Sequence, residues 1–377
     1  QSDVPGQSWL DNCVVVNSQD KALLSSPIRP ILLAPKKRNA PIAENVAPML
    51  SDLGVMLPCS GLHLMLMKQF NRPMIATSGN EYGEPMVTST SSAQQQLSML
   101  ADFSVHHNRD ICHKLDDSVL RTVMSGAIPF RLGRGLSPLE LTLPYDVEEP
   151  LLAVGANQKN TVSFAWKNRL VVTPHIGDLD SPIMQAHFEK CISDFQDLYH
   201  VSPQRILCDR HPGYISSRWA KDSPLPSSEI LHHRAHASAW ALSAEVSSPS
   251  LVFVWDGAGI GSNGDLWGGE VFWGSPGNWK RIASLAPMKL QGGNKVPYQP
   301  WRSAAALAWE TSFTEVDLTH FDPEHLSFKA WKNELNCYFS SSVGRLFDAA
   351  AFACCEQSEV SYEGQAPMML ESVASTP

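Results

Sequence analysis

Three of the chain's 13 histidines fall within five positions of the stretch ILHHRAHASAW, Ile230 to Trp240. His232 and His236 stand four apart, so on a helix their rings share one face, with Cβ atoms about 5–6 Å apart. Twenty residues after His236, the apolar run LVFVW ends in Asp256, which opens the glycine-rich stretch DGAGIGSNGD. That spacing allows a helix end, a loop and one strand, a path that returns the carboxylate to the histidine pair. Two imidazoles and a carboxylate form a borderline donor set suited to iron, zinc or manganese, with coordination positions left for substrate. Such a metal polarises a carbonyl or holds a phosphate oxygen. The competing reading is a pair of solvated or core histidines beside a hairpin with a capping aspartate.

A second concentration lies at MIATSGNEYGEP, Met74 to Pro85. There Ser78, Gly79 and Asn80 offer a hydroxyl, a flexible turn and an amide that can cradle a polar ligand. LDDSVLR and FRLGRG add Asp117, Ser118, Arg121, Arg131 and Arg134, and guanidinium groups bind phosphate bidentately. Ordinary turn chemistry with surface arginines is the alternative for each. PKKRN, Pro35 to Asn39, reads as a solvated loop. His106, His107 and His113 read as structural, and Trp255, Trp267 and Trp273 as core.

These side chains need elements to hold them. Short apolar runs (RPILLAP, LGVMLP, RPMIATSGN, AIPFRLGRG) separated by Gly, Pro and Ser suit strands, and TSSAQQQLSMLADF suits a helix. The first part, residues 1–148, is therefore expected to be an α/β domain ending in a Pro- and acid-rich linker, SPLELTLPYDVEEPLL. From Leu151 a new pattern begins: an apolar strand, a glycine turn, the strand TVSFAW, a Lys-Asn-Arg turn, a third strand, and a helix from Ile183 to Tyr199. The strand RILCD follows, with a Pro-Gly turn behind it. From Ser250 strand, glycine turn and strand recur, which is the outline of the actin-like ATPase fold. Glycine-rich hairpin turns present backbone N–H groups to phosphates.

Composition narrows the class. A chain of 377 residues with 43% hydrophobic and 18% charged residues is globular and suits two or three domains. A net charge of −9 without a basic stripe argues against nucleic acid. No apolar run reaches the roughly 20 residues of a membrane span. Eight scattered cysteines without C-x-x-C point to a reducing, cytoplasmic setting. The chain opens on Gln1 and stops at ESVASTP, and reads as a piece of something longer.

Taken in order, RPILLAPKK, LGVMLPCSGLHLML, MIATSGNEYGEP, HNRDICHKLDDSVLR and RLGRGLSP resemble the YrdC-like domain of the HypF family of carbamoyltransferases. AVGANQKNT, HIGDLD, CDRHPGYISSRWA, HHRAHASA, WDGAGIGSNGDLWGGE, PWRSA and SSVGRLFDAAA resemble its TsaD-like domain of actin-like ATPase (ASKHA) fold, here residues 149–377. The resemblance implies a role in nickel–iron hydrogenase maturation. Carbamoyl phosphate and ATP would give carbamoyl adenylate, whose carbamoyl group passes to the C-terminal cysteine thiol of a HypE-like partner. It further implies that Ser78, Gly79, Asn80, Ser118 and Arg131 line the adenylate-forming site, with Ser78, Asn80 and Arg131 catalytic. His232, His236 and Asp256 would hold one divalent metal, iron or zinc. Gly155, Asn157, Lys159, Gly257, Gly259 and Gly261 would approach the phosphates of ATP and its Mg, with Asp348 and Gly364 near ribose and base.

Departures accompany the likeness. The family's acylphosphatase-like domain, its zinc fingers with their zinc, and the basic opening of the YrdC-like domain are missing. A further aspartate ligand would lie past Pro377. Arg234, Asn263 and Met369 stand where the family often has His, Asp and Glu. Poor turnover of this piece alone is the expectation. Rival readings are an O-carbamoyltransferase of a small molecule, a tRNA-modifying threonylcarbamoyl enzyme, and a non-catalytic assembly module. The order of the two domains counts against the first, and the acidic charge against the second.

Overall fold

A computed structural model describes residues 7–81, 83–109, 111–124, 126–246, 248–311, 318, 322 and 325–374. The chain divides into two compact units, residues 1–48 with 52–229, and 49–51 with 230–377.

In the first unit, α1 (Gln7–Cys13) and α2 (Ser18–Ser25) precede β1 (Ile31–Pro35) and β2 (Asp52–Val55). Asn17 caps α2, accepting from the Asp20 backbone N–H while the Asp20 side chain accepts from that of Asn17. Helices α3 (Gly61–Phe70) and α4 (Thr90–Gln96) lead to β3 (Val119–Val123) and β4 (Gly126–Arg131). The sheet order is β2-β1-β3-β4, with β1 and β3 parallel. Leu10, Leu24, Leu32 and Leu120 form its core.

A second sheet follows, in the order β6-β5-β7-β8, from β5 (Leu139–Ala153), β6 (Ser163–Val172), β7 (Arg205–Asp209) and β8 (Ser227–Ile230). Helix α5 (Pro182–Tyr199) begins at Ser181, whose side chain accepts from the Met184 N–H. It buries Met184, Phe188 and Ile192 against Leu152, Phe164 and Ile206. Helix α6 (Ile215–Asp222) closes the same core through Ala220 and Trp219.

The second unit opens with α7 (His232–Ser243) and the hairpin of β9 (Ser250–Ile260) and β10 (Leu266–Gly274). Then come β11 (Lys280–Ser284), β12 (Met288–Gln291), α8 (Pro300–Thr311), α9 (Leu326–Lys332), β13 (Cys337–Ser340), α10 (Val343–Cys355) and α11 (Gln365–Ala374). The sheet runs β11-β10-β13-β12, with β9 paired antiparallel to β10. Ala237 and Ala241 of α7 pack on Val252, Val254 and Phe272.

Four sequence expectations change, the first being that Trp255 and Trp273, read as core, are exposed, while Trp267 is buried. SPLELTLPYDVEEPLL is not a linker: it forms most of β5, so the division expected at 148/149 falls inside a continuous strand. The two prolines within β5, Pro144 and Pro150, sit where the register against β6 shifts, between Thr142 and Val147 and between Val147 and Leu151. There a missing N–H costs no ladder bond. The Lys-Asn-Arg turn is absent as well. Lys167, with φ of 50°, bends one continuous strand β6. RPMIATSGN forms no strand, and Met74 and Ile75 are exposed.

Candidate metal centre

The order apolar strand, Asp, glycine turn, strand makes β9 and β10 a hairpin with Asp256 on β9. α7 begins at His232, directly after Leu231, so its first two turns supply His232, His233 and His236. Asp256 Oδ2 lies 3.2 Å from His232 Nε2 and 4.0 Å from His236 Nε2, and the two Nε2 atoms are 3.2 Å apart. A tetrahedral ion with bonds near 2.05 Å holds its donors roughly 3.3 Å apart. The triangle therefore has the size of a coordination shell. His236 is exposed and Asp256 partly buried, which leaves an open side for a substrate atom. Asp256 Oδ1 accepts the Gly257 N–H at 2.6 Å, while Oδ2 is buried without a hydrogen bond that satisfies it. A buried carboxylate oxygen 3.2 Å and 4.0 Å from two ring nitrogens fits a cation. Burial alone would raise the Asp256 carboxyl; the hydrogen bond with His232 and the nearby imidazoles outweigh it and hold the group below the usual range.

The glycines after Asp256 have a packing reason. A Cβ on Gly259 would come within 2.7 Å of His232 Cβ and of His233 Cε1. On Gly261 it would collide with the Trp267 indole, and on Gly257 it would sit 3.2 Å from a Glu363 oxygen. Ser342 ties this hairpin to α10: its Oγ donates to Gly257 O at 2.6 Å and accepts from the Arg345 N–H. Asp348 lies buried, 2.9 Å from Arg345 Nε, and burial pushes its carboxyl up to about 6. Gly364, with φ of 86°, precedes α11.

In the first unit, Gly155 turns the chain after β5 with φ of 65°, and a Cβ there would meet Thr161 O at 2.6 Å. Asn157 donates to Asp180 Oδ1 at 2.8 Å and accepts from the Ile215 N–H. The Lys159 N–H bonds Asp178 Oδ1 at 2.7 Å, and its side chain is exposed. Asn80 is engaged by its own loop, donating to the carbonyls of Glu81 and Glu84, and Ser78 and Gly79 are exposed beside it. Ser118 is fully buried and spends its hydroxyl on Arg134 O and the Gly133 N–H. Arg131 donates to Asp117 O at 2.9 Å. Arg134 is structural, bonding Asp117 Oδ1 and the carbonyls of Ile28 and Arg29, and Arg121 pairs with Asp52 at 2.7 Å. Nearby, His175 Nδ1 meets Asp116 Oδ2 at 2.8 Å.

Sequence reasoning passed over His233, fully buried beside the triangle, and Glu270, fully buried beneath the hairpin. Their signal was present: His233 stands within the histidine triple, and Glu270 interrupts an otherwise apolar strand.

Comparison with known proteins identifies the family. Residues 7–133 match the family model described as telomere recombination (Sua5/YciO/YrdC), 146–243 the HypF Kae1-like domain, and 252–377 the carbamoyltransferase Kae1-like domain, second subdomain. The chain is 36% identical to carbamoyltransferase HypF of Synechocystis sp., over 94% of this chain and 49% of that protein. It is 34% identical to that of Rhodobacter capsulatus, over 97% and 50%. The chain thus spans about half the length of the curated relatives it matches. The fold superposes on full-length HypF, crystallised in a phosphate- and nucleotide-bound form, with TM-score 0.91 and 31% identity over 97% of this chain and 59% of that one. HypF of T. kodakarensis gives 0.88 at 28% identity, over 97% and 50%. With three consecutive family matches, two curated relatives above 30% identity and this superposition, the chain belongs to the HypF carbamoyltransferase family.

Proposed function

We propose that this chain carries the YrdC-like and TsaD-like parts, residues 1–148 and 149–377, of an ATP-dependent carbamoyltransferase of nickel–iron hydrogenase maturation in the cytoplasm. Water cleaves carbamoyl phosphate to carbamate and inorganic phosphate, a carbamate oxygen bonds the α-phosphorus of ATP as pyrophosphate leaves, and the carbamoyl group of the resulting adenylate goes to the C-terminal cysteine of a HypE-like protein. The observation that carries the reading is the convergence of His232, His236 and Asp256 within 4.8 Å of one another in a Kae1-like domain. Among the described residues no helix is long and apolar enough to cross a membrane.

His232, His236 and Asp256 would hold the divalent metal, iron or zinc, which when bound supplies positive charge to a carbonyl or phosphoryl oxygen. In the transfer the partner's thiolate sulfur forms a bond to the carbamoyl carbon, and the bond from that carbon to the AMP phosphate oxygen breaks. In adenylate formation Ser78, on an exposed loop, presents its hydroxyl to the carbonyl oxygen as charge develops, Asn80 holds that loop through its bonds to Glu81 and Glu84, and Arg131 meets phosphate. Ser118 contributes by fixing the turn from which Arg131 and Gly133 project. In the second unit, backbone N–H groups around Gly257, Gly259 and Gly261 approach the Mg-nucleotide, with Gly364 and the Arg345-bound Asp348 beside the nucleoside; in the first unit, those around Gly155, Asn157 and Lys159 offer donors to phosphate.

The test uses the full-length protein that contains this chain, ATP, carbamoyl phosphate and a HypE-like protein, with mass spectrometry of the partner's C-terminal peptide. Wild type should add one carbamoyl group, and Asp256→Ala should lower the rate at least about 100-fold. An unmodified partner, or full transfer by Asp256→Ala, refutes the reading.

A further inference from the structure

His233 is 0% exposed, yet neither of its ring nitrogens has a hydrogen-bond partner that satisfies it. Leaving a buried polar group without a partner is costly, so the position is expensive for a ring that merely fills space. Its surroundings leave little freedom. The ring packs on Trp267 with centroids 6.2 Å apart, and its Cε1 occupies the space a side chain on Gly259 would fill. Trp267 is held in turn: its indole N–H donates to Asn263 Oδ1 at 3.0 Å, and the Arg281 guanidinium lies 4.5 Å over its ring. Arg281 is bound by the buried carboxylate of Glu270. This fixed ring meets Asp256 Oδ2, 3.5 Å from His233 Nε2.

Ring centroids separate His233 from His236 by 6.3 Å, against 4.8 Å between His232 and His236, and His233 is not part of the triangle of donor atoms. We propose that His233 is a positioning residue: through Nε2 it fixes the rotamer of the Asp256 carboxylate, so that Oδ2 faces His232 and His236, without binding the metal itself. The proposal rests on the reading that those three residues hold a metal. Groups that contact ligating carboxylates set ligand orientation, and removing one weakens metal binding about 10- to 100-fold. The anchor at Gly257 N–H fixes Oδ1 alone. Oδ2 meets His232 Nε2 at 3.2 Å and, from the buried side, His233 Nε2 at 3.5 Å, and the His233 ring, unlike that of His232, is not itself a donor to the metal.

The experiment is a zinc titration of the metal-stripped chain by competition with a chromophoric chelator, together with thermal melting of the metal-free forms. His233→Leu should weaken zinc binding about 10- to 100-fold. It should melt no lower than wild type without metal, because it removes a buried, unpaired polar ring. His233→Gln, whose amide nitrogen reaches the place of Nε2, should recover most of the affinity, and it serves as the test variant if the leucine form does not fold. Wild-type affinity in His233→Leu, or no recovery in His233→Gln, overturns the proposal, and so does a loss equal to that of His236→Ala, which would make His233 a ligand. A wild-type chain that binds no zinc, or binds it no better than His236→Ala, overturns the metal reading beneath it.

Discussion

His232 Nε2 and His236 Nε2 stand 3.2 Å apart at the start of α7, each facing the same oxygen of Asp256. One turn of helix and one position within β9 account for the whole triangle, so its geometry depends on how closely α7 lies against β9.

That closeness is set by Gly259. The Gly259→Ala methyl would lie 2.7 Å from both His232 Cβ and His233 Cε1, and overpacking of this kind costs typically about 1–3 kcal/mol. Urea unfolding should show that loss. Zinc affinity should fall with it, because the two rings are the atoms displaced. Gly61→Ala, at a position with nothing within 4 Å, should change neither.

Burial lowers the His233 imidazole to about 4. Unfolded histidine titrates near 6.5. Between these values the unfolded chain takes up a proton that the folded chain refuses. Stability from the neutral ring is therefore full above about 6.5 and lost as pH falls through 4, by about 3 kcal/mol in all. In the metal-free protein, His233→Leu should remove that part of the slope of unfolding free energy against pH between 4 and 7. An unchanged slope would show that the ring is not shielded from water.

The Glu270 carboxylate is fully buried, bound by Arg281 and the Ser341 hydroxyl. Removing one partner of such a pair leaves an uncompensated charge and costs about 3–5 kcal/mol. Arg281→Met should approach that loss. Adding Glu270→Gln should restore part of it, as seen in the unfolding midpoints of the single and double variants.

Cys191 on α5 has its thiol pushed up to about 11 by burial, whereas Cys112 and Cys354 are exposed. Because the thiolate is the nucleophile, iodoacetamide at pH 8 should label Cys112 and Cys354 well before Cys191, with peptide mass spectrometry as the readout. Early labelling of Cys191 would contradict the packing of α5 against its sheet.

Much of the site was legible because its signals are local. An i, i+4 histidine pair and a carboxylate at the end of an apolar strand are periodicities, and the hairpin around Gly257–Gly261 is turn chemistry. What escaped depends on partners remote in sequence. β5 looked like a linker because Pro144 and Pro150 break its alternation; only its pairing with β6 shows that both sit at register shifts. Met74 and Ile75 have strand composition but no neighbouring strand to bond. The bonds by which Ser118 and Arg134 hold Gly133, Asp117 and Ile28 depend on partners far apart in the chain. His233 is two positions from Ala235 and three from His236, yet what it does is set by Gly259 and Trp267 across the hairpin.

The most direct measurement is the metal content of the chain, by elemental analysis after purification without chelators and again after loading and desalting. The account predicts close to one tightly held iron or zinc per wild-type chain and essentially none in the His232→Ala/His236→Ala double variant, with both forms folded by circular dichroism. Equal metal in the two, or none in loaded wild type, would contradict it.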